Sequence, residues 1–176
     1  MKRLALFAGV MAVVFAAVVA ASAQTKPNFA GAWALDKSKS QGLDQRMANV
    51  DVTWTIAQDD AKISIESKVT GGQPPAGGGG GGGRGMGGPR TYTLDGKEVS
   101  ADAGGQMGGT NTTKATWSGG TLELSSVRAG NFNGNDVKFA SLDKLSLSGD
   151  GKTLTVVRHS ESPRGTTDST WVLNKQ

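Results

Sequence analysis

The chain has 176 residues, with 19 Lys and Arg against 15 Asp and Glu, and no cysteine. Absence of cysteine excludes disulfides, thiolate metal sites and cysteine nucleophiles. The slight positive excess is spread along the chain and forms no basic cluster of the kind that nucleic-acid binding needs.

The chain opens with Met1-Lys2-Arg3, the apolar run LALFAGVMAVVFAAVVA and the small residues ASAQ. A basic head, an apolar stretch and a small-x-small site predict a secretory signal peptide over residues 1–23, cut after Ala23. Loss of Lys2 and Arg3 leaves 17 basic against 15 acidic residues in the exported chain. No second apolar run follows, so no membrane span is expected after cleavage, and residues 24–176 suit one domain, expected to be a monomer. The expected location is the periplasm or the extracellular space.

Beyond the cut, nearly every patterned stretch alternates with period two, the signature of strands with one buried face. Phe29, Gly31, Trp33 and Leu35 share one face. Val50, Val52, Trp54 and Ile56 share the next, with one short helix at 43–48 between the two runs. Ile63 and Ile65 continue after the Asp59-Asp60 turn. RTYTL, the Asp95-Gly96 turn and KEVSA follow, then TKATW and TLELSSVR around Ser118-Gly119-Gly120. VKFASLDKLSLS, KTLTVVRHS and TTDSTWVLN complete the series. Strands rich in Thr, Val, Ile and Trp, joined by short Gly and Asp turns, predict hairpins in series. The expected fold is all-β, an antiparallel up-and-down meander of eight to ten strands closed into a barrel. Closure removes the exposed edges that such a meander would otherwise carry. A β-sandwich is the rival arrangement.

Residues 71–89, GGQPPAGGGGGGGRGMGGP, interrupt the strand pattern. Glycine loses the most freedom on folding and offers no core side chain, so a flexible loop is expected. GxGxxG occurs within this tract, but without a βαβ context it predicts no dinucleotide site, and no cofactor is expected. NFNGNDV holds too few carboxylates for a calcium loop. His159 is the single histidine. It lies out of phase with Leu154 and Val156, hence on the outer face. No metal site and no catalytic constellation is predicted.

Arg158 is in phase with Leu154 and Val156, and Arg128 with Leu122 and Leu124. A guanidinium on an inward face must be paired or hydrogen-bonded. It can lie across a tryptophan ring, receive a ligand carboxylate in bidentate fashion, or reach water at a strand end.

Gly31-x-Trp33 near the start of a β-meander resembles the first signature of the calycin superfamily, which includes lipocalins and fatty-acid-binding proteins. FAGAWALDKSKS in particular is similar to the mature start of small exported bacterial lipocalin-like proteins of unassigned role. That resemblance implies an eight- or ten-stranded barrel that binds hydrophobic small molecules. Trp33 would close the narrow end, with Gly31 letting the chain pass beneath it. The lipocalin arginine that packs on this tryptophan has no counterpart in the last strand, and Arg158 is the nearest candidate. The expected function is to bind or carry a small hydrophobic or amphipathic molecule inside the barrel, without catalysis. Trp33, Trp54, Ile56, Trp117, Arg128, Arg158 and Trp171 are the candidate ligand contacts. The alternative is a filled barrel that acts as an interaction or structural module of the cell envelope.

Overall fold

The computed structural model describes residues 26–71, 89–104, 108–132 and 134–176. The expected signal peptide and residues 72–88 of the glycine tract lie outside the described residues. Ten strands form one antiparallel sheet: β1 (Gly31–Leu35), β2 (Val50–Gln58), β3 (Lys62–Gly71), β4 (Arg90–Thr93), β5 (Val99–Asp102), β6 (Thr110–Ser118), β7 (Thr121–Phe132), β8 (Asn135–Leu147), β9 (Thr153–Ser162) and β10 (Gly165–Lys175).

The strand order is β4-β3-β2-β1-β10-β9-β8-β7-β6-β5. First and last strands pair through Trp33–Lys175 and Leu35–Leu173, which curls the meander into a nearly closed barrel. The seam between β4 and β5 stays open. The expected Asp95-Gly96 bend forms, with the Asp95 carboxylate accepting from the Lys97 amide at 3.0 Å. It does not make a hairpin, because β4 pairs only with β3 and β5 only with β6. The link from Leu94 to Glu98 is longer than the two-residue turns that set hairpin register. Both edge strands are four residues long, and short edges offer little template for a further strand.

The expected helix at 43–48 is a single 3-10 turn, Gln45–Met47. It is just long enough to bury Met47 against the barrel wall. The Asp36 carboxylate anchors the start of this β1–β2 connection. Hydrogen bonds from Ser38, Lys39 and Asn174 hold its pKa well below the usual carboxylate range.

Residues opposed across an antiparallel pair share a face, so the register defines the interior. The core is Phe29, Trp33, Val52, Trp54, Ile56, Ile63, Ile65, Leu122, Leu124, Leu145, Leu154, Val156, Trp171 and Leu173, joined by Met47, Tyr92 and Ala115. Trp33, Val52, Trp54, Ile56, Ile63, Ile65, Leu122, Leu124, Leu154 and Val156 lie in the alternation phase read from the sequence. Among the described residues no helix is long and apolar enough to cross a membrane.

Candidate ligand site inside the barrel

Trp33 closes one end. It is fully buried, opposes Trp54 on β2, and donates its indole N–H to the Phe29 carbonyl at 2.9 Å. Gly31 has φ 141°, and a Cβ there would meet Lys175 Cε at 3.2 Å and the Trp33 indole nitrogen at 3.7 Å. That close approach is the local reason for glycine two residues before the tryptophan. The cation over Trp33 is Lys175, with Nζ 5.4 Å from the ring centroid. It comes from the last strand, so Arg158 does not fill that place. The mismatch arose from looking for an arginine, whereas cation–π attraction accepts either cation.

Phe29 stacks on Trp117 at 6.0 Å, which places Trp117 at the closed end, half-buried beneath Lys26. Ile56 is buried between Gly31 and Ile65 in the same end of the core. Trp54 and Trp171 meet at 5.7 Å.

The Arg158 guanidinium lies above this last pair, 4.7 Å from the Trp171 ring and 5.7 Å from Trp54. Directly across the β8–β9 ladder is Asp143, which is 1 % exposed. Arg158 Nε donates to Oδ1 at 2.6 Å and Nη2 to Oδ2 at 2.7 Å. A buried carboxylate persists only with such pairing, and the planar fork supplies two parallel charge-assisted bonds. Burial alone would pull the Arg158 pKa down. The hydrogen bond and charge of Asp143 outweigh it and raise the value.

Arg90 approaches the same carboxylate from β4, Nη1 to Oδ2 at 3.7 Å, and lies 5.9 Å from the Trp54 ring. Tyr92 is the next inward residue on β4. Burial raises its phenol pKa, against the pull of the Arg90 and Arg158 charges.

Arg128 belongs elsewhere. It opposes Asn111 on β6 and Phe139 on β8, two inner positions beyond Leu124 toward the mouth. Its Nη2 donates to the carbonyls of Gly104 at 2.9 Å and Ala103 at 3.4 Å. Its Nε is buried without a partner. The two arginines singled out in the sequence are therefore inward-facing as expected, but they sit at different levels.

Above the charged level the lining turns hydroxylic. Ser141 opposes Ser126 on β7 and Ser160 on β9. Three apolar residues on the inner face there remain open to solvent. Val69 opposes the buried Val52, Val99 opposes the inward Thr113, and Phe139 opposes Arg128. They are 40, 42 and 41 % exposed, respectively. One end of the interior is packed, and the other carries these partly exposed side chains.

Sequence reading missed Asp143, Arg90 and Tyr92. The signal existed, since Asp143 alternates with Leu145 and Leu147, and Arg90 and Tyr92 with Leu94. The partner across the ladder, which makes an inward charge tolerable, is visible only once the register is known.

On the outer face, His159 Nδ1 lies 2.7 Å from Asp168 Oδ1, and Nε2 lies 3.6 Å from Glu161. Among the described residues no group of three His, Asp or Glu is placed to hold a metal ion. Two clefts mark the rims. One of about 380 Å3 beside Trp117 is lined by Lys26, Gln58, Asp59 and Asp60. One of about 460 Å3 is lined by Gly109, Gly130, Val137 and Lys138. Neither is lined by Arg158 or Asp143.

No protein-family model matches the chain, and no curated protein matches it. Among solved structures it is similar to zebrafish ileal bile acid-binding protein complexed with cholic acid. The identity is 13 %, the TM-score 0.49, and the match covers 84 % of this chain and 98 % of that one. At that distance neither family nor ligand passes from that protein to this chain, and the barrel is read from its own ladders.

Proposed function

We propose that this chain is an exported container for a small amphipathic molecule, seated in the open half of the barrel and not along its whole length. The observation that carries the reading is the partly exposed apolar inner face at Val69, Val99 and Phe139, above a floor of guanidinium groups. An apolar portion of a ligand would cover those three side chains, at about 25 cal/mol per Å2 removed from water. Among the described residues the inner face of this half bears Arg90, Arg128 and Arg158 against Asp143 alone, so the surplus charge favours an acidic head group.

Export supplies the context. Residues 1–23 would be removed, and N-terminal sequencing of the protein from a periplasmic or culture fraction should start at Gln24.

The filled closed end favours the second reading, an envelope interaction module without a small ligand. Mass spectrometry of an organic extract of the purified protein separates the two. A co-purified amphipathic acid supports the container. An empty extract, together with no thermal shift from fatty acids or hydrophobic dyes, favours the module.

A further inference from the structure

The three inward arginines are not equivalent, and the difference assigns them separate tasks. Arg158 spends two donors on Asp143 in a bidentate pair, and its side chain is 16 % exposed. Its charge is answered within the protein. Arg90 makes one long contact to the same carboxylate and is 30 % exposed. A single carboxylate cannot neutralise both guanidinium groups, so a positive charge with unspent donors remains at Arg90.

A second, independent observation points to the same place. Arg90 opposes Ile65 on β3, and the next inward residue along β3 is Ser67, opposite Trp54. The Ser67 hydroxyl is buried and has no hydrogen-bond partner. A buried hydroxyl without a partner carries a desolvation cost that an arriving acceptor would relieve. Ser67 therefore offers a donor one inner position along β3 from the residue opposite Arg90, and opposite Trp54, whose ring Arg90 faces.

We infer that Arg90 and Ser67, on neighbouring strands, form the subsite that receives the anionic head of the ligand, while Asp143 is a permanent internal counter-ion that keeps Arg158 structural. This rests on the container reading and adds to it the residues that set ligand charge preference. Arg128 sits at another level, where its Nη2 donates to the carbonyls of Ala103 and Gly104 and its Nε is left without a partner; it is the rival subsite that the test must separate.

The test uses two probes of equal chain length, dodecanoate and dodecanol, titrated calorimetrically into the full exported chain. Arg90→Gln should weaken dodecanoate by about 10- to 100-fold, the range for loss of a charge-assisted hydrogen bond, while dodecanol changes less than about twofold. Ser67→Ala should weaken dodecanoate in the same direction by a smaller factor with the melting temperature held, so the subsite is probed even if Arg90→Gln folds poorly. Asp143→Asn with Arg158 intact should tighten dodecanoate, because it frees a second guanidinium. Equal losses for both probes in Arg90→Gln, or a selective dodecanoate loss in Arg128→Gln instead, would overturn the assignment and leave the container standing. A wild-type protein that takes up neither probe would sink both.

Discussion

Along the β8–β9 ladder the inner pairs run from Leu147 and Leu154, through Leu145 and Val156, to Asp143 and Arg158, and then to Ser141 and Ser160. The first two levels are packed like any protein interior, and the last faces an open mouth. The same alternation of the same two strands thus builds a packed apolar end and a polar, more exposed end. The lesson is that closure of a barrel does not by itself decide whether it is full. The decision lies in how far along each strand the large apolar residues extend. Here the closely packed run stops at an ion pair, and the apolar residues beyond it, such as Phe139, are partly exposed. A salt bridge at the boundary makes physical sense, because each partner needs the other when facing the apolar floor, while exposed donors can face the mouth.

The sharpest way to break this comparison is to remove one residue from each end. Trp33→Ala should cost about 3–5 kcal/mol in denaturant unfolding, because the surrounding core cannot collapse into the void. Phe139→Ala, a loss of comparable apolar surface, should move stability by less than about 0.5 kcal/mol, since the ring already meets solvent. Similar losses at both positions would mean that the mouth is packed in solution.

The boundary itself gives the next effect. Asp143→Ala leaves the Arg158 guanidinium buried without its counter-ion and should destabilise by about 3 kcal/mol or more. The double variant Asp143→Leu with Arg158→Met should recover most of that loss, because an apolar pair of similar volume extends the floor by one level. Failure of the double variant to recover stability would show that the ion pair organises the mouth beyond mutual neutralisation. Thermal melts of the two variants and their parent at neutral pH decide it.

Gly31→Ala comes lower on the scale. At φ 141° a side chain is strained, and its Cβ would press on the Lys175 stem that covers Trp33. A loss of about 1–3 kcal/mol is expected. Lys175→Ala in the same background should return only the part due to crowding, which separates the steric cost from the backbone cost.

Much of the barrel could be read without coordinates because period-two alternation is a local property. Trp33, Trp54, Ile56 and Trp171 are buried in the phase that the sequence assigns them, and His159 faces out. The β4–β5 seam escaped because an Asp-Gly dipeptide reports a bend and not the pairing of what it joins. The identity of the cation over Trp33 escaped for a related reason. Lys175 is the last residue of β10, and which residue of β10 meets β1 is set by long-range register. Arg158 was legible as an inward charge, but its true partner was hidden in LDKLSLS, where an aspartate in an apolar phase reads equally as a strand end. Contacts set by register between strands distant in sequence are beyond any window of the chain.

The smallest effect lies on the outer wall and checks that the two-ended contrast belongs to the interior alone. His159 is hydrogen-bonded to Asp168, and this contact, chiefly, raises its pKa above the ordinary value of 6.5, with Glu161 adding to the shift. Because the folded-state pKa is the higher one, the stabilisation is fully present below the unfolded value. It is lost as pH rises through the folded one. The group is exposed, so solvent screening keeps the contribution small. An NMR titration of the single histidine should give a midpoint above 6.5, and Asp168→Asn should lower it. Dodecanoate affinity across that pH window should stay flat in both proteins, since the imidazole faces away from the barrel axis. A ligand affinity that tracked the His159 midpoint would place the bound molecule on the outside of the barrel, and the open half of the interior would then have no role in holding it.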